Sequence, residues 1–131
     1  MTTQIRPGFQ TVSAYLAVQG ATSLVEFLYS AFGAEHTFRS PNGTHFEVRI
    51  GDTMVMIGEV GGDQPPSTGQ LFMYVSDPDD LYKRAIAVGA TSVVEPTMRD
   101  WGEGGALVRG AGIKDPCGNL WFLAGPKLDA P

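Results

Sequence analysis

The chain has 131 residues and a mass of 14.0 kDa, room for one domain and not for two full ones. Hydrophobic residues make up 43% and charged residues 18%, which excludes the disordered and fibrous classes and leaves an ordinary globular composition. Nine Lys and Arg against fourteen Asp and Glu give a net charge of −5, without the clustered cations that nucleic-acid binding requires.

Val12, Ala14, Leu16 and Val18 alternate with Ser13, Tyr15 and Ala17, the period-two pattern of a strand over 12–18. Gly20 ends it. Thr22 or Ser23 stands where an N-cap belongs, with Glu26 three residues after Ser23 as in a capping box. Leu24, Phe27, Leu28 and Ala31 then recur at helical spacing and Gly33 closes the helix, predicted over 22–32. His36–Arg39 and Thr44–Ile50 flank an Asn42-Gly43 pair, a strong hairpin signal, and Thr53–Ile57 follows the turn at Gly51-Asp52. Residues 58–69 are rich in Gly, Pro and Asp and lack periodicity, as a linker does.

The same order then restarts. Leu71–Val75 is predicted as a strand, and Asp77 or Asp79 as the cap of a helix whose apolar stripe is Leu81, Tyr82, Ala85, Ile86 and Val88. Gly89 stops it. Thr91–Glu95 is strand-like, Gly105–Ile113 is a weaker strand because of its glycines, and Asn119–Ala124 is the last strand after a turn at Asp115–Gly118. The glycines at 102, 104 and 105 suit a flap and do not form a dinucleotide fingerprint. Tyr15–Val18 aligns with Phe72–Val75, and Gly33-Ala34 with Gly89-Ala90, so each half reads β-α-β-β-β. That is an internal duplication, with units at about 9–59 and 69–125 of a single domain spanning 1–131.

Two βαβββ units in this length resemble the vicinal oxygen chelate superfamily, which includes glyoxalase I, bleomycin-resistance proteins, fosfomycin-resistance enzymes and extradiol dioxygenases. The strings Tyr15–Val18, Glu26–Gly33, His45–Asp52, Trp101-Gly102 and Asp115–Trp121 carry the likeness, and their form resembles the PhnB-like branch. The resemblance covers roughly residues 9–125 and implies an α+β fold in which the two repeats form an incomplete barrel around a cup, each helix packed outside. It speaks for fold more than function, since this fold hosts isomerases, transferases, oxygenases and pure binding proteins.

With the helices outside, strand parity assigns the faces. Val12, Ala14, Leu16 and Val18 should meet the first helix, leaving Ser13, Tyr15 and Ala17 toward the cup. Val55 and Ile57 face out, while Met54 and Met56 face in. Leu71, Met73 and Val75 pack on the second helix; Gln70, Phe72 and Tyr74 point inward. Trp121 and Leu123 are core, and Leu120 and Phe122 line the cavity, with Trp101 joining from a loop. A surface of rings and thioethers suits a small, flat, apolar ligand. The competing expectation is that these side chains simply fill the barrel.

Enzymes of the superfamily usually hold a divalent metal through four residues, one near each of four strands. The matching positions here are Ser13, Gln70, Met54 or Met56, and Phe122, which are not ligands for Zn, Ni, Fe or Mn, so no metal and no cofactor is expected. His45, Glu47 and Glu59 stand apart from those four positions. His45 and Glu47, with Arg49, share one strand face, and the set can be a hydrogen-bonded charged strip, a pole that orients ligand with Glu47 as base, or an off-pattern metal site. His36 is expected on the surface, and Cys117 lacks an adjacent His or Lys to activate it as a nucleophile.

Three functions stay open: a metal-independent binding protein for an aromatic or antibiotic-like molecule, a metal-free enzyme using Glu47 or Tyr15 for proton transfer, and a metalloenzyme with unorthodox ligands. Open sheet edges predict a homodimer. The lone cysteine excludes a disulfide framework, no apolar run nears the roughly 20 residues of a membrane span, and no leader pattern opens the chain, so a cytoplasmic location is expected.

Overall fold

Short alternating runs separated by Gly and Asn-Gly turns fold into strands, and the two 3.6-period segments fold into helices. The computed structural model describes residues 5–126, and the chain divides after Thr68 into two units. The first holds β1 (Ala14–Val18), α1 (Ala21–Phe32), β2 (Glu35–Arg39), β3 (His45–Ile50) and β4 (Thr53–Glu59). The second holds β5 (Gln70–Tyr74), α2 (Pro78–Ala87), β6 (Thr91–Arg99), β7 (Val108–Lys114) and β8 (Leu120–Gly125). Each unit is an open four-stranded sheet of one topology, β1-β4-β3-β2 and β5-β8-β7-β6, in which only the first pair is parallel. The duplication is therefore structural, and the fold is the expected α+β βαβββ arrangement.

Register explains why parity matters. Leu16 pairs with Ile57 and Ile57 with Phe46, while Val48 pairs with Val55, so one face of the first sheet is apolar. All five are at most 4% exposed, and α1 lies against β3 and β4. Leu24, Phe27 and Leu28 of α1 are buried on that face, each contributing roughly 1.5–3 kcal/mol of burial. In the second unit Trp121, Leu123, Ala111 and Ile113 form the corresponding layer, with α2 against β6, β7 and β8.

Several expectations need correction. Val12 lies before β1 and is 84% exposed, because the pairing with β4 begins at Ala14 and an unpaired residue gains nothing from the alternation. Neither Thr22 nor Ser23 caps α1. The chain turns from β1 into the helix through Gln19 and Gly20 (φ 100° at Gly20), so both residues fall inside the first turn and are exposed. The carboxylate of Glu59 accepts from the Gly20 amide at 3.1 Å and the Ala21 amide at 2.9 Å instead. Finally, the α2 stripe is narrower than its sequence suggests: Ala85 is buried, but Ile86, about 100° further round the helix, and Val88, past its end, are exposed. Asp77 caps α2 as expected, accepting from the Asp80 amide. The strand after Gly89 runs on to Arg99, and the next begins only at Val108, after a loop with a 3-10 turn at Glu103–Gly105.

No helix among the described residues is long and apolar enough to cross a membrane.

Candidate functional site

The face of each sheet turned away from its helix carries the residues of interest. In the first unit one row crosses the sheet in register: Tyr15 beside Met56, Met56 beside Glu47, Glu47 beside Phe38. In the next row Gly58 sits between Ala17 and His45. A side chain at Gly58 would run into the Tyr15 phenol, so the glycine leaves the space in which that ring reaches across β4. There Tyr15 stacks on His45 (centroids 5.8 Å, planes 30° apart), and Phe38 lies 6.1 Å from the same imidazole.

Glu47 is 2% exposed and fully engaged. Arg6, from the arm before β1, donates from both terminal nitrogens to the two carboxylate oxygens at 2.7 and 2.8 Å, and His45 Nε2 lies 2.9 Å from Oε2. The Arg6 hydrogen bonds, seconded by His45, hold the carboxyl below the usual glutamate range, although burial alone pushes it the other way. A carboxylate so held is a poor proton acceptor at neutral pH. Arg6 was not legible: a carboxylate placed between Phe46 and Val48 demands a partner, but nothing in an aperiodic arm says which residue supplies it.

Arg49 shares the parity of Glu47 but is drawn to Glu35 on the neighbouring strand, where the pair is exposed. Met54 is buried, and Met56 half-buried. Glu59 belongs to the α1 cap and is not part of a strip with His45 and Glu47. His36 is on the surface.

The second unit presents rings. Phe72 and Phe122 are register partners, the counterparts of Tyr15 and Met56. Phe72 contacts Tyr74 at 5.2 Å between centroids, Phe72 contacts Trp101 at 5.8 Å, and Trp101 meets Phe122 edge-on at 5.9 Å. Arg99 lies over the Trp101 face at 5.1 Å. Tyr74 is 84% and Phe72 46% exposed, so the row is not sealed into a core. The glycines that weaken β7 as a strand make the room. A Cβ at Gly110 would stand 2.6 Å from the Trp101 ring, and one at Gly112 3.0 Å from Phe122. A groove of about 770 Å³ adjoins the rings, with Tyr74, Trp101, Glu103 and Val108 in its wall. Leu120 is half-buried at the start of β8 beside Gln70.

Two buried or half-buried polar arrangements are structural. Asp115 accepts from the Cys117 and Asn119 amides and from Trp121 Nε1, fixing the turn into β8. Arg109 pairs with Asp79 through two 2.8 Å hydrogen bonds, tying β7 to α2 and holding the Asp79 carboxyl below its ordinary range. Cys117 is half-buried in the turn.

The residue types at the positions where the resemblance implies metal ligands do not fit a metal. Ser13 donates its hydroxyl to a backbone carbonyl, Gln70 offers an amide, Met56 a thioether and Phe122 a ring. Nor does Glu47 offer a free oxygen, and among the described residues no three His, Cys, Asp or Glu gather into a group that would hold an ion.

Residues 10–123 match the profile of the Glyoxalase/Bleomycin resistance protein/Dioxygenase superfamily, and the chain belongs to that superfamily. An uncharacterized Mycobacterium bovis protein, Mb0911c, is 31% identical over 130 residues, covering 88% of this chain and 82% of the relative. Among solved structures, TioX from Micromonospora sp. ML1 superposes with a TM-score of 0.73 at 24% identity, covering 88% of this chain and 98% of that one. The fosfomycin resistance protein FosX from Mesorhizobium loti superposes with a TM-score of 0.65 at 17% identity, covering 95% and 96%. At these identities the two structures speak for the fold.

Proposed function

We propose that the protein binds a planar aromatic, antibiotic-like small molecule without metal and without chemistry, on the ring-bearing face of its second unit. One observation carries the reading: Tyr74, Phe72, Trp101 and Phe122 form an unbroken chain of ring contacts on a sheet face, with two members open to solvent. Exposed rings held in fixed edge and tilted geometry offer apolar area at little cost in side-chain entropy, and flat ligands stack on them. The glycine clearances at 110 and 112 support the same reading, since β7 gives up strand propensity there to seat the rings. The donor chemistry supports the metal-independent form, and the engaged state of Glu47 speaks against it as a base. The superfamily contains resistance proteins as well as enzymes, which is compatible with sequestration.

We also propose a homodimer in the cytoplasm. By strand order β2, β5 and β6 each end a sheet, and β1 does so apart from one bridge between Ala17 and Ser67; a second copy is the simplest cover for such edges. Static light scattering should give about twice 14.0 kDa.

The test of binding is a thermal-shift and fluorescence screen with planar aromatic antibiotics and natural products. The chain has two tryptophans, and Trp121 is 1% exposed, so a stacked ligand should quench Trp101 selectively. A hit should raise the melting temperature and lose both signals in W101A. Hits that bind W101A as tightly as the parent, or no hit at high concentration, would overturn the reading.

A further inference from the structure

We propose that the first unit carries a receptor for a planar amidinium or guanidinium ligand, built from Glu47 with the rings of Tyr15, His45 and Phe38, and that Arg6 is its built-in occupant. The carboxylate and the cation are of different standing. Glu47 is fixed in β3, buried to 3% side-chain exposure, and accepts one hydrogen bond from each Arg6 terminal nitrogen, the two-point geometry of an amidinium–carboxylate pair. Arg6 arrives from an arm outside the strands, and its side chain is 61% exposed. A buried carboxylate needs a cation, because an uncompensated buried charge is strongly unfavourable. It does not need this cation, and any flat group with two parallel N–H donors satisfies the same oxygens.

The surroundings choose the rest of the ligand. Tyr15 is 53% and Phe38 41% exposed, both are in ring contact with His45, and His45 itself contacts Glu47. A cation docked on Glu47 therefore has ring surface beside it, which suits an aryl amidine or aryl guanidine. What opposes entry is the arm: Arg6 also lies 4.6 Å over the Phe9 ring, and the Phe9 amide donates to the Arg6 carbonyl at 3.0 Å. Binding is thus an exchange of one cation for another, with the arm displaced. The inference concerns the first unit alone and does not depend on the ring face of the second.

Benzamidine is the probe, and benzamide, which has the same shape without the charge, is its control. Calorimetric titration of the parent, R6A, R6K and R6A/E47Q should order the sites. R6A should bind benzamidine at least about tenfold more tightly than the parent does and recover on saturation the melting temperature it loses. R6K, which keeps a one-point cation on Glu47 and so a paired carboxylate, should fall between them; it also answers the question if R6A proves too unstable to titrate. R6A/E47Q should bind benzamidine no better than benzamide. Equal benzamidine affinity in the parent, R6K and R6A would overturn the proposal, as would a gain that survives in R6A/E47Q or is matched by benzamide.

Discussion

Trp101 occupies the space that Gly110 leaves empty: a Cβ on Gly110 would come within 2.6 Å of its six-membered ring. Gly110 does not have a positive φ, so its backbone would accept any residue; what forbids one is first the ring and then Arg99 Cγ, 3.0 Å from the same point. In an ordinary strand the change to alanine helps, since glycine there costs roughly 0.5–1 kcal/mol. Here G110A should instead destabilise by about 1–3 kcal/mol through overpacking. W101A/G110A should recover most of that loss, measured by urea denaturation. A stabilised G110A would mean that Trp101 does not lie on β7.

Asp115 is the second place where one residue organises several. Its Oδ1 accepts from two backbone amides at 2.8 and 3.0 Å and its Oδ2 from Trp121 Nε1 at 2.8 Å, all in a buried turn. D115N keeps the shape but cannot accept at both atoms. The expected cost is about 2–4 kcal/mol, because a buried donor is left without its acceptor. W121F should cost less in the D115N background than in the parent, a coupling that a double-mutant cycle in urea would read.

Glu59 caps a helix from a different strand, and this separates the capping box expected from sequence from the cap that is present. E59A should cost about 1 kcal/mol, in the range of lost N-caps, because the Gly20 and Ala21 amides lose their acceptor. T22A and S23A should each fall within about 0.5 kcal/mol of the parent. The reverse ranking in thermal or urea melts would restore the local capping box.

The contrast shows which information lay in the sequence. Alternation is local, and it placed Tyr15, Met56, Phe72, Tyr74 and Phe122 on the faces away from the helices, because one buried face fixes register for a whole strand. It failed at Val12, where no neighbouring strand remains to pair. The amides that Glu59 caps and the arginine that pairs with Glu47 lie 38 to 41 residues away, and a polar group's partner across such a distance leaves no periodic trace. Gly110 and Gly112 looked like weaknesses of a strand; their use as clearances for rings emerges only with the register of β7 and β8.

The Arg6–Glu47 pair predicts an acid response with a definite sign. Glu47 titrates lower in the folded chain than unfolded, chiefly because Arg6 hydrogen-bonds its charged form. The stabilisation is therefore complete above the unfolded value of about 4.3 and is lost as pH falls through the lower folded value. Asp79, held down by Arg109, contributes with the same sign, so the parent's melting temperature should fall in acid on account of both pairs. In E47Q one contribution is gone. That variant should melt well below the parent at pH 7, show a shallower decline from pH 6 to pH 3, and approach the parent at the acid end. D79N should behave alike with its own amplitude, and E47Q/D79N should decline less than either single variant. Circular-dichroism melts across the series measure this directly. A gap between parent and E47Q that stays constant or widens toward pH 3 would mean that the charge on Glu47 contributes nothing to the fold and that its effect is one of shape alone.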